Sequence, residues 1–303
     1  MTFKLEKINV SAEDLEQLGT KEKFWFNYPK DPKHRFLFKF SRENTGEHWS
    51  EKVAEQLCVE LGIPHVSYEM AITGGRYGIV TPNVIPENCR MVMGNEVLHK
   101  DSPHIYPNVS LMRVKEHTVS RVLGVLDKQN YDIPPSDYDL TGLSAADVFC
   151  GYLMLDALIS NQDRHHENWA IILNNETGKK SLCPTYDHAA SLGRELTDKE
   201  RLDRLTSKDK GRQVCTFVRR ARSELFKLKS DKKPMFTVEA FYFSVSDRER
   251  AKLHWLSKLE ELTDDKIKEI FSKIPNTVIS EHARQFSCEM VLENKKRLLQ
   301  YEK

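Results

Sequence analysis

The stretches ISNQDRHHENWAIIL, residues 159–173, and LCPTYDHAASLG, residues 182–193, decide the fold of this chain. The first begins where residues 145–159, apolar almost all round, read as a helix buried in a core. A polar loop follows, then a strand, a turn at NNETGKK, and a second strand that runs into Asp187. The pattern predicts that a hairpin brings the polar loop and Asp187 together.

Three oxygen-bearing side chains in these stretches, Asp163, Asn168 and Asp187, stand in the order used for phosphoryl transfer in kinases. A carboxylate such as Asp163 can accept a hydroxyl proton and serve as the catalytic base. The amide oxygen of Asn168 and the carboxylate of Asp187 are ligands that magnesium accepts. The spacing from Asp163 to Asn168 alone is also typical of a polar loop with helix-capping residues. The buried helix, the hairpin and the final acid together favour the chemical interpretation.

The sequence pattern in the first third of the chain predicts a small lobe of strands with one helix. Gly62 is predicted to end that helix. The Gly-Gly pair between the last two strands is a hairpin signal. The predicted strands are Phe24–Phe26, Arg35–Phe40, Ser67–Ile72 and Tyr77–Thr81, and the predicted helix is Trp49–Leu61.

Lys39, flanked by apolar residues in RFLFKF, is the candidate for the lysine that holds the nucleotide phosphates. An ordinary edge-strand lysine is the other interpretation. The acid that orients this lysine should lie on the following helix. Glu51 in its first turn is preferred, and Glu55, one turn further, competes with it.

Two further segments complete the predicted nucleotide site. A phosphate-covering turn at LGTKEKFWF offers Gly19 and Thr20, although one glycine is a weak signal. The segment GIVTPNVIPEN could supply the linker that contacts adenine, mainly through its backbone. The residues assigned to that contact are Val80, Thr81, Asn83 and Val84.

The predicted fold class is α+β, a bilobal protein-kinase-like fold with a small mixed β-sheet N-lobe and a mostly helical C-lobe. We expect the N-lobe at residues 1–84, a proline-rich hinge or linker at 85–108 and the C-lobe at 109–303. The tail is predicted to hold about three helices, with Asp264 as an N-cap and Pro275 at a helix boundary.

Composition bounds the class of protein. The chain has 303 residues, 39% of them hydrophobic, which is enough for a substantial core. The net charge of +1 gives no sign of direct nucleic-acid binding. No apolar run suits a membrane span and the N-terminus is too polar for a secretory signal, so we expect a cytoplasmic protein, with a secreted effector as the alternative. The six cysteines are expected to be reduced core thiols.

The chain resembles the HipA-like serine/threonine kinases over roughly residues 15–200. The resemblance is carried by GTKEKF, FLFKF, SEKVAEQLCVELGI, NQDRHHENWAI and PTYDHAASLG, of which only the last two are specific. It implies ATP and Mg²⁺ as cofactors, and it implies that Asp163, Asn168 and Asp187 have the catalytic and metal-binding roles above. It also implies that Lys39 is the ATP lysine and Glu51 its partner. Arg164 and His165 would be structural or face the substrate.

The resemblance further implies a protein substrate phosphorylated on Ser or Thr. Relatives act as toxins restrained by a DNA-binding antitoxin, or as secreted effectors on host cells, so an antitoxin-like or host partner is expected. Longer relatives carry an extra N-terminal domain, and this chain resembles a compact, stand-alone kinase core. Many relatives have a self-phosphorylated serine near the glycine turn. Thr20 is the nearest hydroxyl here, which argues against that kind of inactivation.

Two other functions fit the same sequence features. A kinase-fold phosphotransferase for lipids or small molecules fits the same loop, and a nucleotide-binding pseudokinase is a third possibility. The histidines of HHENW lack the spacing of a zinc hydrolase motif. The basic stretch FVRRARSELFKLKSDKK is either a solvated segment or a docking surface for an acidic partner or a nucleic acid. Its distance after Asp187 also suits a segment that docks the substrate.

Overall fold

The computed structural model describes residues 2–9, 14–15, 22–107 and 113–301. These residues form an N-terminal sheet covered by one helix, followed by a mostly helical C-terminal part that includes a second, smaller sheet. The two parts correspond to the predicted lobes of an α+β fold. None of the helices in the described ranges is long and apolar enough to cross a membrane.

The N-terminal sheet has six strands in the spatial order β1-β5-β6-β4-β3-β2. β1 pairs with β5 in parallel, and all other neighbours are antiparallel. The strands are β1 (Leu5–Lys7), β2 (Asp14–Leu15), β3 (Lys23–Tyr28), β4 (Asp31–Phe40), β5 (Glu69–Thr73) and β6 (Arg76–Pro82).

The two faces of this sheet differ because successive side chains of a strand point to opposite sides. Phe38 belongs to an aromatic cluster on one side. Lys39 faces the other side, where its partner in β6 is Ile79, and Ile79 in turn pairs with Met70 of β5. Met70 packs into the core cluster that contains the apolar residues of helix α1 (Glu47–Leu61). Lys39 therefore lies on the sheet face that α1 covers.

The C-terminal part is built around a three-stranded sheet and nine helices in the described residues. The strands are β7 (Cys89–Met93), β8 (Ala170–Asn174) and β9 (Lys180–Leu182), paired antiparallel in that order. The helices are α2 (Gly94–Asp101), α3 (Val119–Lys128), α4 (Ala145–Ile159), α5 (Asp198–Thr206), α6 (Val214–Val218), α7 (Thr237–Ser244), α8 (Glu249–Glu261), α9 (Asp264–Ser272) and α10 (Glu281–Leu299).

Helix α4 is the centre of this core. It begins with a capping box in which Ser144 and Asp147 exchange hydrogen bonds. It packs so closely on α8 that a Cβ on Gly151 would lie 2.5 Å from the ring of Trp255. It ends at Ser160, which has a left-handed backbone with φ 54° and turns the chain into the polar loop.

One local prediction is corrected, and the structure adds detail to two others. The N-cap of α9 is Thr263 and not Asp264, because the Thr263 hydroxyl accepts the N–H of Lys266 while Asp264 is already helical. Residues 85–108, predicted as a linker, contain β7 and α2, since β7 finds its partner β8 far along the chain. The tail contains four helices from α7 to α10.

Two hydrogen bonds fasten the segment after α9 to the N-terminal sheet region. The N–H of Phe3 donates to the carbonyl oxygen of Lys273 at 2.6 Å. The hydroxyl of Tyr77 in β6 donates to the carbonyl oxygen of Thr277 at 2.9 Å. The segment after α9 therefore ties β1 and β6 to the helical part.

Candidate active site

A buried ion pair shapes the polar loop (residues 160–169) that follows α4. Arg164 donates from Nε and Nη2 to the two carboxylate oxygens of Asp156, each at 2.8 Å, and neither residue is more than 1% exposed. Although burial disfavours the charged guanidinium, the carboxylate of Asp156 keeps the pKa of Arg164 above its ordinary value. Arg164 also donates to the backbone oxygen of Asn168 at 2.7 Å, so the pair holds both ends of the loop.

The amide of Asn168 fixes the backbone of Asp163. Its Nδ2 donates to the carbonyl oxygen of Asp163 at 2.6 Å, which makes Oδ1 the atom of this amide that can coordinate a cation. The N–H of Asp163 donates to Asn161 Oδ1 at 3.2 Å. The Asp163 side chain is 40% exposed, and its Oδ1 lies 3.8 Å from Nε2 of His165. A base at this position is held rigidly by its backbone while its carboxylate faces the open side of the loop.

Asp187 is positioned by its backbone. It has a left-handed conformation with φ 58°, which is uncommon for a residue with a side chain and recurs at functional sites. Its N–H donates to the hydroxyl oxygen of Tyr68 at 3.2 Å. Burial, together with the carboxylates of Glu51 and Asp187, holds the pKa of Tyr68 well above its ordinary value, so this hydroxyl stays protonated.

A hydrogen bond next to both predicted metal ligands joins their two segments. The hydroxyl of Tyr186 donates to the carbonyl oxygen of Glu167 at 2.7 Å. Tyr186 directly precedes Asp187, and Glu167 directly precedes Asn168. The β8–β9 hairpin has already brought the segments to the same edge, and this bond sets them side by side.

Glu51 reaches from α1 to the residue after Asp187. Its side chain is completely buried, and Oε1 accepts the N–H of His188 at 2.8 Å and lies 3.2 Å from its Nδ1. The other oxygen, Oε2, is buried and has no hydrogen-bond partner among the described residues. The competing acid, Glu55, is paired with Lys52 at 2.9 Å. The geometry thus favours Glu51 as the acid with an oxygen left for a lysine.

Lys39 faces this region across the sheet. Its neighbour Ile79 packs in a small cluster with Tyr68 and Tyr186, which hold Asp187 and the polar loop. In the part of the chain that the structure describes, Lys39 has no ion-pair partner. An ammonium on this face and the unpartnered oxygen of Glu51 fit the two ends of a phosphate-holding pair.

The predicted adenine-contacting segment comprises the end of β6 and the residues that follow it. Thr81 is buried near the end of β6, whereas the side chain of Val80 packs into the aromatic cluster on the far side of the sheet. Asn83 donates its N–H to the carbonyl oxygen of Arg35 at 2.9 Å, and Val84 packs against Tyr186. Gly19 and Thr20 lie outside the described residues.

Sequence reasoning missed Asp156, Tyr68 and His188. Asp156 carried a signal, because a carboxylate inside an otherwise apolar helix needs a buried cation as its partner. Arg164 follows it in the loop after the helix. Tyr68 and His188 could not be found in this way, since their roles depend on contacts between distant segments.

A buried polar layer lies behind the loop. The hydroxyl of Tyr106 and Nδ1 of His166 are 2.6 Å apart, and Trp169 Nε1 donates to Nε2 of His117 at 3.2 Å. Burial lowers the pKa of His117 to about 3, so its ring is neutral and can accept that bond.

Two solved structures are similar to this chain. The proinflammatory kinase CtkA of Helicobacter pylori superposes with a TM-score of 0.69 at 16% identity, covering 94% of this chain and 93% of that one. A chain of the HipA, HipB and operator DNA complex of the Shewanella oneidensis MR-1 toxin–antitoxin system superposes with a TM-score of 0.54 at 12% identity, covering 96% and 66%. No protein-family model and no curated protein matches the chain. At these identities the comparisons show the fold, and they confirm the predicted kinase-like architecture.

Proposed function

We propose that this chain, which has the fold of the HipA-like kinases, transfers the γ-phosphoryl group of ATP to Ser or Thr hydroxyls of a protein in a Mg²⁺-dependent reaction. The observation that carries the proposal is the hydrogen bond from Tyr186 to Glu167. It supports a shared site for Asp163, Asn168 and Asp187, three oxygen-bearing side chains that are separated in sequence.

The donor set fits a magnesium ion. Asn168 and Asp187 offer one neutral and one charged oxygen, and magnesium commonly completes such a partial set with phosphate oxygens and water. Bound there, the ion would neutralise charge on the transferred group. Lys39 would hold the nucleotide phosphates, and Glu51 would orient Lys39 through Oε2.

Asp163 would orient the acceptor hydroxyl and take its proton. The exposed carboxylate is accessible to a hydroxyl on a large substrate, while its backbone is fixed by Asn161 and Asn168. In phosphoryl transfer such positioning and charge neutralisation provide most of the catalysis. The protein acceptor is proposed from the family resemblance, and a toxin-like or effector role, with an antitoxin-like or host partner, is part of the same proposal.

The test uses the purified chain, Mg²⁺ and γ-labelled ATP, offered in parallel a protein lysate, a lipid extract and a small-metabolite pool. Label on protein Ser or Thr, and its loss in Asp163→Ala, is the expected result. Label only in lipid or metabolite would identify the other kinase-fold phosphotransferase. Nucleotide binding with no transfer to any acceptor would identify a pseudokinase.

A further inference from the structure

A cavity lies between the polar loop that contains Asp163 and helices α5 and α6. Its volume is about 180 Å³, enough for several water molecules or for one phosphate or carboxylate group. Its polar and basic lining includes Ser160, Gln162, Ser191, Arg204 and Arg220. One lining residue, Gln162, directly precedes Asp163 in the chain.

The cavity is walled by residues that are held in place. The N–H of Gln162 donates to the carbonyl oxygen of Ala190 at 3.3 Å, and the N–H of Leu192 donates to that of Ile159 at 3.0 Å. The hydroxyl of Ser287 in α10 donates to the carbonyl oxygen of Leu192 at 2.8 Å. These bonds fasten the segment after Asp187 to the polar loop and give the cavity fixed walls.

Two buried hydrogen-bond donors in this lining lack an acceptor. Ser191 is 3% exposed, and its hydroxyl has no hydrogen-bond partner among the described residues. Arg204 is half-buried; its Nη1 donates to the carbonyl oxygen of Arg212 at 3.3 Å, whereas its buried Nε has no hydrogen-bond partner among the described residues. Its guanidinium stacks over Phe217 at 4.5 Å. Buried polar atoms are nearly always paired with protein, water or an ion, so such atoms indicate an absent acceptor.

The charge of the lining agrees with an anionic occupant. Arg204 and Arg220 contribute two positive charges. Glu195, the one acid in the lining, is 57% exposed, and its carboxylate is 4.0 Å from Nε of Arg194, which offsets it. Arginine is well suited to phosphate and carboxylate, because it offers several N–H groups in a planar fork.

We propose that this cavity binds an anionic side chain, carboxylate or phosphate, of the acceptor protein, next to the hydroxyl that Asp163 serves. The inference rests on the proposed protein kinase function. It assigns to the chain a preference for acceptor sites with an acidic or already phosphorylated neighbour. Ser191, Arg204 and Arg220 are the residues that recognise the anion.

The test measures binding without nucleotide. Three degenerate peptide pools carry a central Ser and one fixed neighbour, either phosphoserine, Glu or Ala, and their affinities are compared by fluorescence anisotropy. We expect at least one anionic pool to bind about tenfold more tightly than the Ala pool, as for a charge-assisted contact. Tight binding of the phosphoserine pool alone, with competition by inorganic phosphate, identifies a phosphate site. Binding of the Glu pool as tight as that of the phosphoserine pool identifies a general anion site.

Variants keep the test specific. Ser191→Ala and the double variant Arg204→Gln/Arg220→Gln should abolish the preference. Arg219→Gln is the matched control, since Arg219 neighbours Arg220 in sequence but lines another cavity with Lys296 and Arg297. Circular dichroism of each variant checks the fold, and Ser191→Ala removes only one unpaired hydroxyl.

Three results would overturn the site. They are equal binding of all three pools to the wild type, a preference that survives both sets of variants, and loss of the preference in Arg219→Gln. Absence of transfer in the labelled-ATP assay would instead overturn the proposed function, and it would leave the binding result unaffected.

Discussion

The carboxylate of Glu51 in α1 accepts the backbone N–H of His188, the residue after Asp187, at 2.8 Å. One side chain thus couples the helix of the N-terminal lobe to the segment proposed to carry magnesium. Its second oxygen is left over on the side of the sheet that presents Lys39. The position of α1 and that of Asp187 are therefore set together.

The first prediction concerns this carboxylate. Glu51→Gln can still accept from His188 but offers no charge to Lys39, so we expect phosphotransfer to fall by about tenfold to a hundredfold. Glu55→Gln is the matched control, because Glu55 lies one turn away and pairs with Lys52. Steady-state kinetics compares the two, and an equal loss in both variants would contradict the assignment of Glu51.

The second prediction separates the metal ligand from the base. Asp187→Ala should lose the Mg²⁺-dependent part of nucleotide affinity, whereas Asp163→Ala should keep it and lose transfer by about a hundredfold or more. Isothermal titration with ATP at high and low Mg²⁺ measures the first effect. Unchanged Mg²⁺ dependence in Asp187→Ala would exclude this carboxylate as a ligand.

The third prediction concerns the Asp156–Arg164 pair. Asp156→Ala leaves a buried guanidinium without its counter-charge and should cost about 3–5 kcal/mol of the free energy of unfolding. Asp265→Ala removes the exposed partner of Lys268 and should change stability by about 0.5 kcal/mol or less. Urea unfolding compares the two variants, and similar midpoints would show that the buried pair does not support the loop.

The fourth prediction is a loss of stability on acidification. Burial lowers the pKa of His48 to about 4 and that of His117 to about 3, from 6.5. Below pH 6.5 the unfolded chain therefore binds more protons than the folded chain. As the pH is lowered, the free energy of unfolding decreases by about 1.4 kcal/mol per pH unit for each histidine. The fall continues until the folded-state pKa is reached.

Urea titrations at several pH values between about 7 and 5 check this linkage. His117→Gln should flatten the dependence by the contribution of one histidine. An unchanged slope in His117→Gln would contradict the neutral, buried state of that ring.

Local patterns predicted much of the fold. Helix α4 has the predicted bounds because its fifteen residues are apolar almost all round, and β5 and β6 follow from a Gly-Gly turn between strands. The order of Asp163, Asn168 and Asp187 along the loop and hairpin is also read from the sequence, and their chemical roles stay predictions.

Features set by distant contacts were not predictable in this way. β1 has three residues and exists by pairing with β5, and β7 lies among prolines and pairs with β8. The hydrogen bonds of Tyr68 and Tyr186 likewise join segments that share no local pattern.

The bond from Tyr77 to Thr277 spans 200 residues, and the bond from Phe3 to Lys273 spans more. Chains emerge from the ribosome N-terminal end first, and contacts between remote segments form slowly because a long loop must close. The N-terminal lobe is therefore synthesised before α9, but it can form these two hydrogen bonds only after α9 has emerged. During translation β1 and β6 therefore lack these two hydrogen bonds until the segment after α9 has left the ribosome.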